Sequence, residues 1–174
     1  PYPSIVDNKI NAVFFHRNRL GFLTGENIVF SESGEFENFF RTTVRTLLDS
    51  DPIDVAVSQA EVADLRAAIP FQEDLIIFSE LNQFTLSSDT LLTALDITLT
   101  LSASYRNNLT ANPTLAGDSL FFAETNGEYS GIRDYRVSGD AKLVSAPSVT
   151  DHVPEYVEGK VLQMTATANE DILL

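Results

Sequence analysis

The chain has two histidines and no cysteine with which to carry out nucleophilic, acid–base or metal chemistry. His16 lies between Phe15 and Arg17 at the end of a predicted strand, and His152 precedes Val153-Pro154 in a predicted linker. Neither has the HxxxH or HExxH spacing of zinc sites. A serine–histidine–aspartate triad stays open as an alternative because its members need not be close in sequence, but no GxSxG motif supports one. We therefore predict a structural or surface role for both histidines.

Carboxylates are the remaining candidates for chemistry. Asp49, Asp51 and Asp54 crowd one loop that is broken by Pro52, and Glu73-Asp74 precedes a predicted strand. Glycosidases need two carboxyl groups at a defined separation, but a chain with 25 acidic residues contains such clusters by chance. The loop also lacks the Gly and the terminal Glu of an EF-hand. We predict a solvated loop, with metal binding and catalysis as alternatives, and assign no catalytic, cofactor-binding or metal-ligating residue.

The basic residues form one grouping, which consists of Arg17, Arg19, Arg41 and Arg45. The formal net charge is −14, and there is no Gly-rich phosphate loop. Direct nucleic-acid binding is disfavoured because phosphate contacts need Lys and Arg. The arginines are better candidates for contact with an acidic neighbour, either a second subunit or loops of the same chain. The acidic balance by itself also fits a simpler interpretation, which is solubility.

Aromatic residues cluster in the same part of the chain, at Phe14, Phe15, Phe36, Phe39 and Phe40. Such a set can form a platform for a ligand. Phenylalanine side chains bury large apolar areas, however, and most often contribute to cores and sheet edges. We therefore predict packing roles for all five.

A repeated hairpin must position these residues. Each copy is an apolar strand, a turn rich in Gly, Asn or acidic residues, and a second strand; the copies span residues 18–33, 73–88 and 117–135, and a fourth begins near residue 169. The equivalent positions Leu20, Leu75, Leu120 and Ile172 are about 45 to 55 residues apart, as in β-propeller blades. The repeat predicts an all-β fold of propeller-like blades of antiparallel strands, approximately at 1–57, 58–104, 105–145 and 146–174, the last incomplete.

The apolar runs LGFL, IVF, LIIF and LFFA barely alternate with polar residues. A strand with one wet face would alternate, so we expect other sheets to cover both faces. One short helix is predicted over residues 58–69, because Ser58 and Glu61 have capping-box spacing and Pro70 would end it.

In the first hairpin turn, Gly25 and Asn27 tolerate a positive φ. The remaining predictions are strands at 91–104 and 161–166, a polar loop at 107–117, turns at 33–35, 138–140 and 169–171, and a linker at 146–154.

A set of motifs in fixed order carries a family resemblance. Residues 14–40 read FFHRNRLGFLTGENIVFSESGEFENFF, and the later motifs are DPIDVAVS, IPFQEDLIIFS, QFTL, GEYSGIRDY and VTDHVPEY. The set covers nearly the whole chain and resembles the tail tubular protein B family, the nozzle proteins of short-tailed bacteriophages. Members of that family are several times longer. We therefore expect this chain to be an internal fragment, which agrees with the missing Met and the apparent strand at the chain end.

The resemblance implies a structural, non-enzymatic role without cofactors. Such proteins contain β-propellers and assemble as a homohexameric nozzle in the virion tail, after assembly in the host cytoplasm. The nozzle joins a ring-shaped adaptor, tail tubular protein A, and helps to anchor the tail fibres. Genomic DNA passes non-specifically through the lumen during ejection, and no stable membrane insertion is expected. An acidic wall would repel phosphates, so that the genome slides without sticking.

Two other functions remain as alternatives. One is a propeller that binds or degrades host-surface polysaccharide, since propellers also carry glycosidases. The other is a protein-interaction propeller of the WD or kelch type, which the absence of Trp argues against. We also expect an isolated fragment of a propeller to expose apolar surface, and thus to be poorly soluble or to associate.

Overall fold

The computed structural model describes residues 2–58, 62–138, 143–167 and 172–174. All helical or strand structure in these ranges is β-strand, so the predicted all-β class is confirmed. The strands are β1 (Ala12–His16), β2 (Arg19–Thr24), β3 (Asn27–Phe30), β4 (Ile53–Ala56), β5 (Ala67–Phe71), β6 (Asp74–Phe78), β7 (Gln83–Ser87), β8 (Thr98–Ala103), β9 (Thr114–Ala116), β10 (Ser119–Asn126), β11 (Tyr129–Ser138), β12 (Leu143–Ser145), β13 (Val157–Glu158), β14 (Ala166–Thr167) and β15 (Ile172–Leu173).

The chain divides into two compact units, residues 1–79 with 83–101 and residues 80–82 with 102–174. The first unit begins with a four-stranded antiparallel meander in the order β1-β2-β3-β4. Its first hairpin closes through Arg17 and Asn18, whose φ angles of 46° and 60° match a type I′ turn. The next closes at Gly25, whose φ is 53°, whereas Asn27 starts β3. The predicted turn that contains Gly25 and Asn27 is confirmed, because Thr24 pairs with Asn27 across it; the positive φ is at Gly25 and not at Asn27.

The second sheet has the order β5-β6-β7-β8, with antiparallel β5–β6 and β6–β7 pairs. The helix predicted over residues 58–69 is wrong for its described part. Residues 62–66 are irregular, and Ala67 already belongs to β5. Leu65 is fully buried while Val62 is exposed, since the segment runs as an extended chain into the sheet. Tertiary pairing with β6 outweighs the local helical pattern; Glu61 lies outside the described residues.

An apolar core of the first unit receives residues from both of its sheets. The runs IVF and LIIF are buried on both faces, because the successive residues Ile28 and Val29, and Ile76 and Ile77, are at most 1% exposed. For these two runs, the prediction that apolar residues do not alternate with polar ones because both strand faces are covered is confirmed. The expectation holds only in part for LGFL, because Leu20 and Phe22 are half-buried. In β1, an edge strand of the same sheet, Phe15 is 60% exposed.

The second unit contains the antiparallel sheet β12-β11-β10-β9, with β13 also paired to β11, and the small pair β14–β15. The long hairpin β10–β11 runs in register from Leu120↔Tyr135 to Asn126↔Tyr129. Phe122 and Tyr135 are fully buried. A separate small cluster consists of Ala111, Ala123 and Met164.

Three predicted segments are only partly correct. The strand expected at 91–104 is confirmed as β8 at Thr98–Ala103, whereas 91–97 is irregular. The loop at 107–117 contains the short strand β9, and the strand expected at 161–166 is reduced to β14. In both cases pairing decides the outcome, because only β9 and β14 find partners, in β10 and β15. The turns expected at 138–140 and 169–171 fall largely outside the described residues, and the division into four blades stays a prediction.

Candidate functional site

A cleft of about 900 Å³ lies in the first unit. His16, Arg17, Glu73 and Asp89 are among its lining residues. Arg17 stands at the tip of the β1–β2 hairpin and reaches across it. Its guanidinium donates to the hydroxyl of Ser88 at 2.9 Å, to the carbonyl of Glu73 at 3.0 Å and to that of Thr90 at 3.3 Å. Arg17 therefore connects the first hairpin to loops of the second sheet.

His16 is a buried member of the same cleft, with 8% of its surface exposed. Burial, and next the neighbouring Arg17 charge, lower the pKa of His16 from 6.5 to about 4, although the carboxylate of Asp74 opposes them. His16 is consequently neutral at physiological pH. Its burial supports the predicted structural role, whereas His152 is exposed.

Arg19, the first residue of β2, is the largest fully buried side chain of the described residues and is 1% exposed. Its guanidinium donates to four backbone carbonyls: Ser31 at 2.7 Å, Asp49 at 2.7 Å, Asp51 at 2.8 Å and Ser50 at 3.2 Å. Burial lowers the pKa of Arg19, while Glu32 and Asp51 raise it. Arg19 thus fixes the loop before β4 to the first hairpin.

The three carboxylates of the DSDPID loop have different surroundings. Asp51 is fully buried, and its Oδ2 accepts a hydrogen bond from the backbone N–H of Leu48 at 2.9 Å. The prediction of a solvated loop is therefore wrong for Asp51, because the buried Arg19 donates to the carbonyl of Asp51 and this part of the loop is buried with it. Asp54 instead accepts from the backbone N–H of Ser4 and from the side chain of Asn27. Asp49 is exposed and contributes its carbonyl to Arg19.

The second unit has a polar cluster that the sequence analysis missed. Arg133 donates through Nε to Glu124 at 2.5 Å and through a terminal nitrogen to the carbonyl of Ala146 at 2.7 Å. Its guanidinium carbon also lies 4.6 Å from the ring centre of Tyr105, in a cation–π arrangement. Glu124 in β10 and Arg133 in β11 are diagonal neighbours, because Glu124 pairs with Gly131 and Arg133 pairs with Phe122. The register of the predicted hairpin was the one sequence signal from which the contact between Glu124 and Arg133 could have been predicted.

Of the five aromatic residues, Phe14 is in the core as predicted, whereas Phe15 and Phe40 are 60% and 54% exposed. Phe14 meets Phe30 edge-on at 5.5 Å, and Phe15 meets Phe36 at 5.3 Å. The ring of Phe14 also lies over Gly21, where an added Cβ would be 2.3 Å from ring atoms. Arg41 and Arg45, by contrast, are exposed on the long segment between β3 and β4.

The described contacts of Arg17 and Arg19 are connections between strands and loops. In the described part of the chain, no group of three or more His, Asp or Glu side chains is arranged to hold a metal ion. No described helix is long and apolar enough to cross a membrane. The buried Arg19 and the partly buried Arg17 both donate to carbonyls of loops of the same chain, which is one of the predicted roles.

These observations describe a structural β-protein, and the comparisons with known proteins agree. The family model described as bacteriophage nozzle protein matches residues 1–174. The chain belongs to the bacteriophage nozzle protein family. It is 38% identical over 172 residues to the tail tubular protein gp12 of Escherichia phage T7, in an alignment that covers 98% of this chain and 22% of that protein. The chain thus spans about a fifth of the length of this relative.

A solved structure with some similarity is the quinonprotein alcohol dehydrogenase-like protein of Bacteroides thetaiotaomicron. The match covers 95% of this chain and 48% of that protein at 10% identity, with a TM-score of 0.40. A similarity this weak carries no argument about fold or function.

Proposed function

We propose that this chain is a structural part of the nozzle of a short bacteriophage tail, where it contributes to the wall of a conduit for genome ejection. The observation that carries the proposal is the match of the nozzle family over residues 1–174, together with 38% identity to a protein named for the tail tube. The role is non-enzymatic. The alternative of a host-surface polysaccharide-binding or polysaccharide-degrading propeller is not favoured, because no comparison supports it.

The proposal includes the finer features that the resemblance implies. The antiparallel sheets β1–β4 and β5–β8 would be blades of a β-propeller in the longer protein. The complete protein would form a homohexameric ring that binds the ring-shaped tail adaptor and the tail fibres. It would be located in the virion tail, and in the host cytoplasm during assembly. The short-range, meander-like pairing of both sheets is compatible with blades.

The charge of the chain supports passage of DNA without retention. With a net charge of −14, the chain cannot bind DNA by releasing counterions from many phosphates. We propose that acidic side chains line the lumen. A density map of the assembled ring that shows a neutral or basic lumen would remove this part of the proposal.

The test uses the full-length protein. Electron microscopy and native mass measurement should find a closed ring with an open channel, and labelled antibody should bind the tail of virions. A DNA-retention assay at 150 mM salt should show no binding. A monomer with measurable hydrolysis of capsular polysaccharide would overturn the proposal in favour of the enzymatic alternative.

A further inference from the structure

The segment between β3 and β4 has a rigid base and an exposed outer part. At the base, Arg19 holds the carbonyls of residues 49–51, and the N–H of Ser33 donates to the carbonyl of Ser50 at 3.0 Å. Glu32 and Asn38 are joined by a backbone hydrogen bond of 2.8 Å and a side-chain hydrogen bond of 2.5 Å. A segment fixed in this way loses little conformational entropy when it binds a partner.

The outer part, residues 39–48, is named here the basic arm. Its sequence FFRTTVRTLL has two arginines and no acidic residue, in a chain that carries 25 acids. Phe40 and Leu48 are about half exposed, and Val44 is fully exposed. Arg41 and Arg45 are also exposed, and neither forms an ion pair with any residue that the structure describes.

A mainly apolar cleft of about 340 Å³ accompanies the arm. Its lining also includes Asp54, whose carboxylate accepts hydrogen bonds from Ser4 and Asn27. Tyr2, Phe39, Phe40 and Val44 are among its walls, and Arg41 stands at its side. The ring of Tyr2 meets that of Phe40 edge-on at 6.4 Å. Apolar walls beside unpaired positive charges fit a partner that presents an apolar side chain flanked by carboxylates.

The second unit presents such a surface. Residues 149–158, VTDHVPEYVE, are named here the acidic segment; they carry Asp151, Glu155 and Glu158 and no Lys or Arg. Tyr156 is 80% exposed and Val153 about half exposed. The segment is fixed at both ends. The N–H of Val149 donates to Ile132, and β13 pairs with β11.

We propose that the basic arm of one copy docks onto the acidic segment of a second copy of the chain. The argument for a second copy as the partner is charge complementarity. The basic arm is positive, and the acidic segment of the same chain carries the opposite charge. A contact between two different patches is heterologous, and such contacts generate rings when the rotation closes. The inference rests on the proposed function, in that it requires copies side by side.

The first experiment is a disulfide test in the full-length protein. One preparation carries Val44→Cys, the other Tyr156→Cys, and they are mixed, so that a bond between the two positions can form only between copies. This chain has no cysteine of its own. We expect an oxidised dimer whose yield falls at least tenfold between 50 and 500 mM salt, because exposed charges are screened. The matched control is Val62→Cys, an equally exposed position outside the arm. Equal yields for Val44→Cys and Val62→Cys would overturn the proposal.

The second experiment reverses the charges. Arg41→Glu/Arg45→Glu in the Val44→Cys copy should reduce the dimer at least tenfold, and Asp151→Lys/Glu155→Lys in the Tyr156→Cys copy should restore it. Both arginines are exposed, so an unchanged melting temperature is expected and shows that the variant folds. If Asp151→Lys/Glu155→Lys does not restore the disulfide bond, the proposed docking surface is overturned. Retention of DNA by the basic arm, or crosslinking of the arm to another tail protein, would overturn it as well.

Ring formation separates this inference from the proposed function. Rings that form normally with Arg41→Glu/Arg45→Glu would overturn the docking surface and leave the nozzle role intact. A wild-type protein that forms no ring and no dimer would overturn both.

Discussion

Arg19 in the first unit and Arg133 in the second both carry a guanidinium into the structure, but their partners differ. Arg19 is almost completely buried and donates to four backbone carbonyls of loops. Arg133 has a side chain that is 23% exposed, and it pairs with the carboxylate of Glu124, which is 8% exposed. One arginine fixes irregular backbone, and the other joins side chains on paired strands.

The difference shows which group is left unsatisfied when each arginine is removed. Loss of Arg19 leaves the buried carbonyls of Ser31 and Asp51 without its donor, whereas the carbonyl of Ser50 still accepts from the N–H of Ser33. No other single substitution can compensate for the two buried carbonyls. Loss of Arg133 leaves one buried carboxylate, which can be neutralised by a second substitution. A planar fork of five donors suits the first task, because it can serve several carbonyls at once.

The largest effect is expected for Arg19→Met. The variant should lose about 3–5 kcal/mol of unfolding free energy, since buried carbonyls lose a charged donor. Arg19→Lys should recover less than about half of that loss, because an ammonium group lacks the planar fork. Denaturant unfolding of the full chain measures both. The exposed Arg45→Met is the matched control. A loss below about 1 kcal/mol for Arg19→Met would contradict the assigned role.

A smaller effect is expected for Arg133→Met, about 2–3 kcal/mol, because the pair is partly exposed. Adding Glu124→Gln should recover at least about 1 kcal/mol, since the buried charge is removed. A smaller recovery is expected when Asp51→Asn is added to Arg19→Met, because neutralising the buried Asp51 carboxylate does not replace the donor that the buried carbonyls have lost. If both double variants recovered equally, the proposed difference between the two arginines would be wrong.

The pH dependence of stability should report His16. Its pKa is about 4 in the folded chain and 6.5 when unfolded. Between these values only the unfolded chain binds the proton, so stability is full above pH 6.5 and is lost as the pH falls towards 4. The loss amounts to roughly 2–3 kcal/mol at about 1.4 kcal/mol for each pKa unit. Unfolding measured from pH 7 to 4 should show that His16→Gln lacks this component. The exposed His152→Gln is the control, and equal changes in both variants would count against the burial of His16.

The smallest effect is expected for the ion pair of Arg66 with Asp64, whose atoms are 2.7 Å apart. Both side chains are more than a third exposed. Asp64→Asn should change the unfolding free energy by no more than about 0.5 kcal/mol, because water and salt screen the pair. A loss of unfolding free energy comparable to that of Arg133→Met would show that the contribution of these ion pairs does not depend on their exposure.

The repeated apolar hairpins were predictable, because strands buried on both faces leave continuous apolar runs such as IVF and LIIF. Type I′ closure at Arg17-Asn18 was not, since neither residue is a glycine. The helix predicted before Pro70 failed because its capping and periodicity signals are local, whereas pairing of β5 with β6 is not. The burial of Asp51 could not be predicted either, as it depends on Arg19, which is 32 residues away in the chain.

The sequence by itself determined the all-β class, the hairpin spacing and the family, because these follow from apolar patterning and from ordered motifs. The tertiary structure alone decided which charged residues are buried and which are exposed. Arg17 and Arg19 were grouped in the sequence with Arg41 and Arg45, yet the first two hold backbone carbonyls while the others face solvent. The physical reason is that a side chain's environment is set by distant segments that reach it only when the sheets have formed.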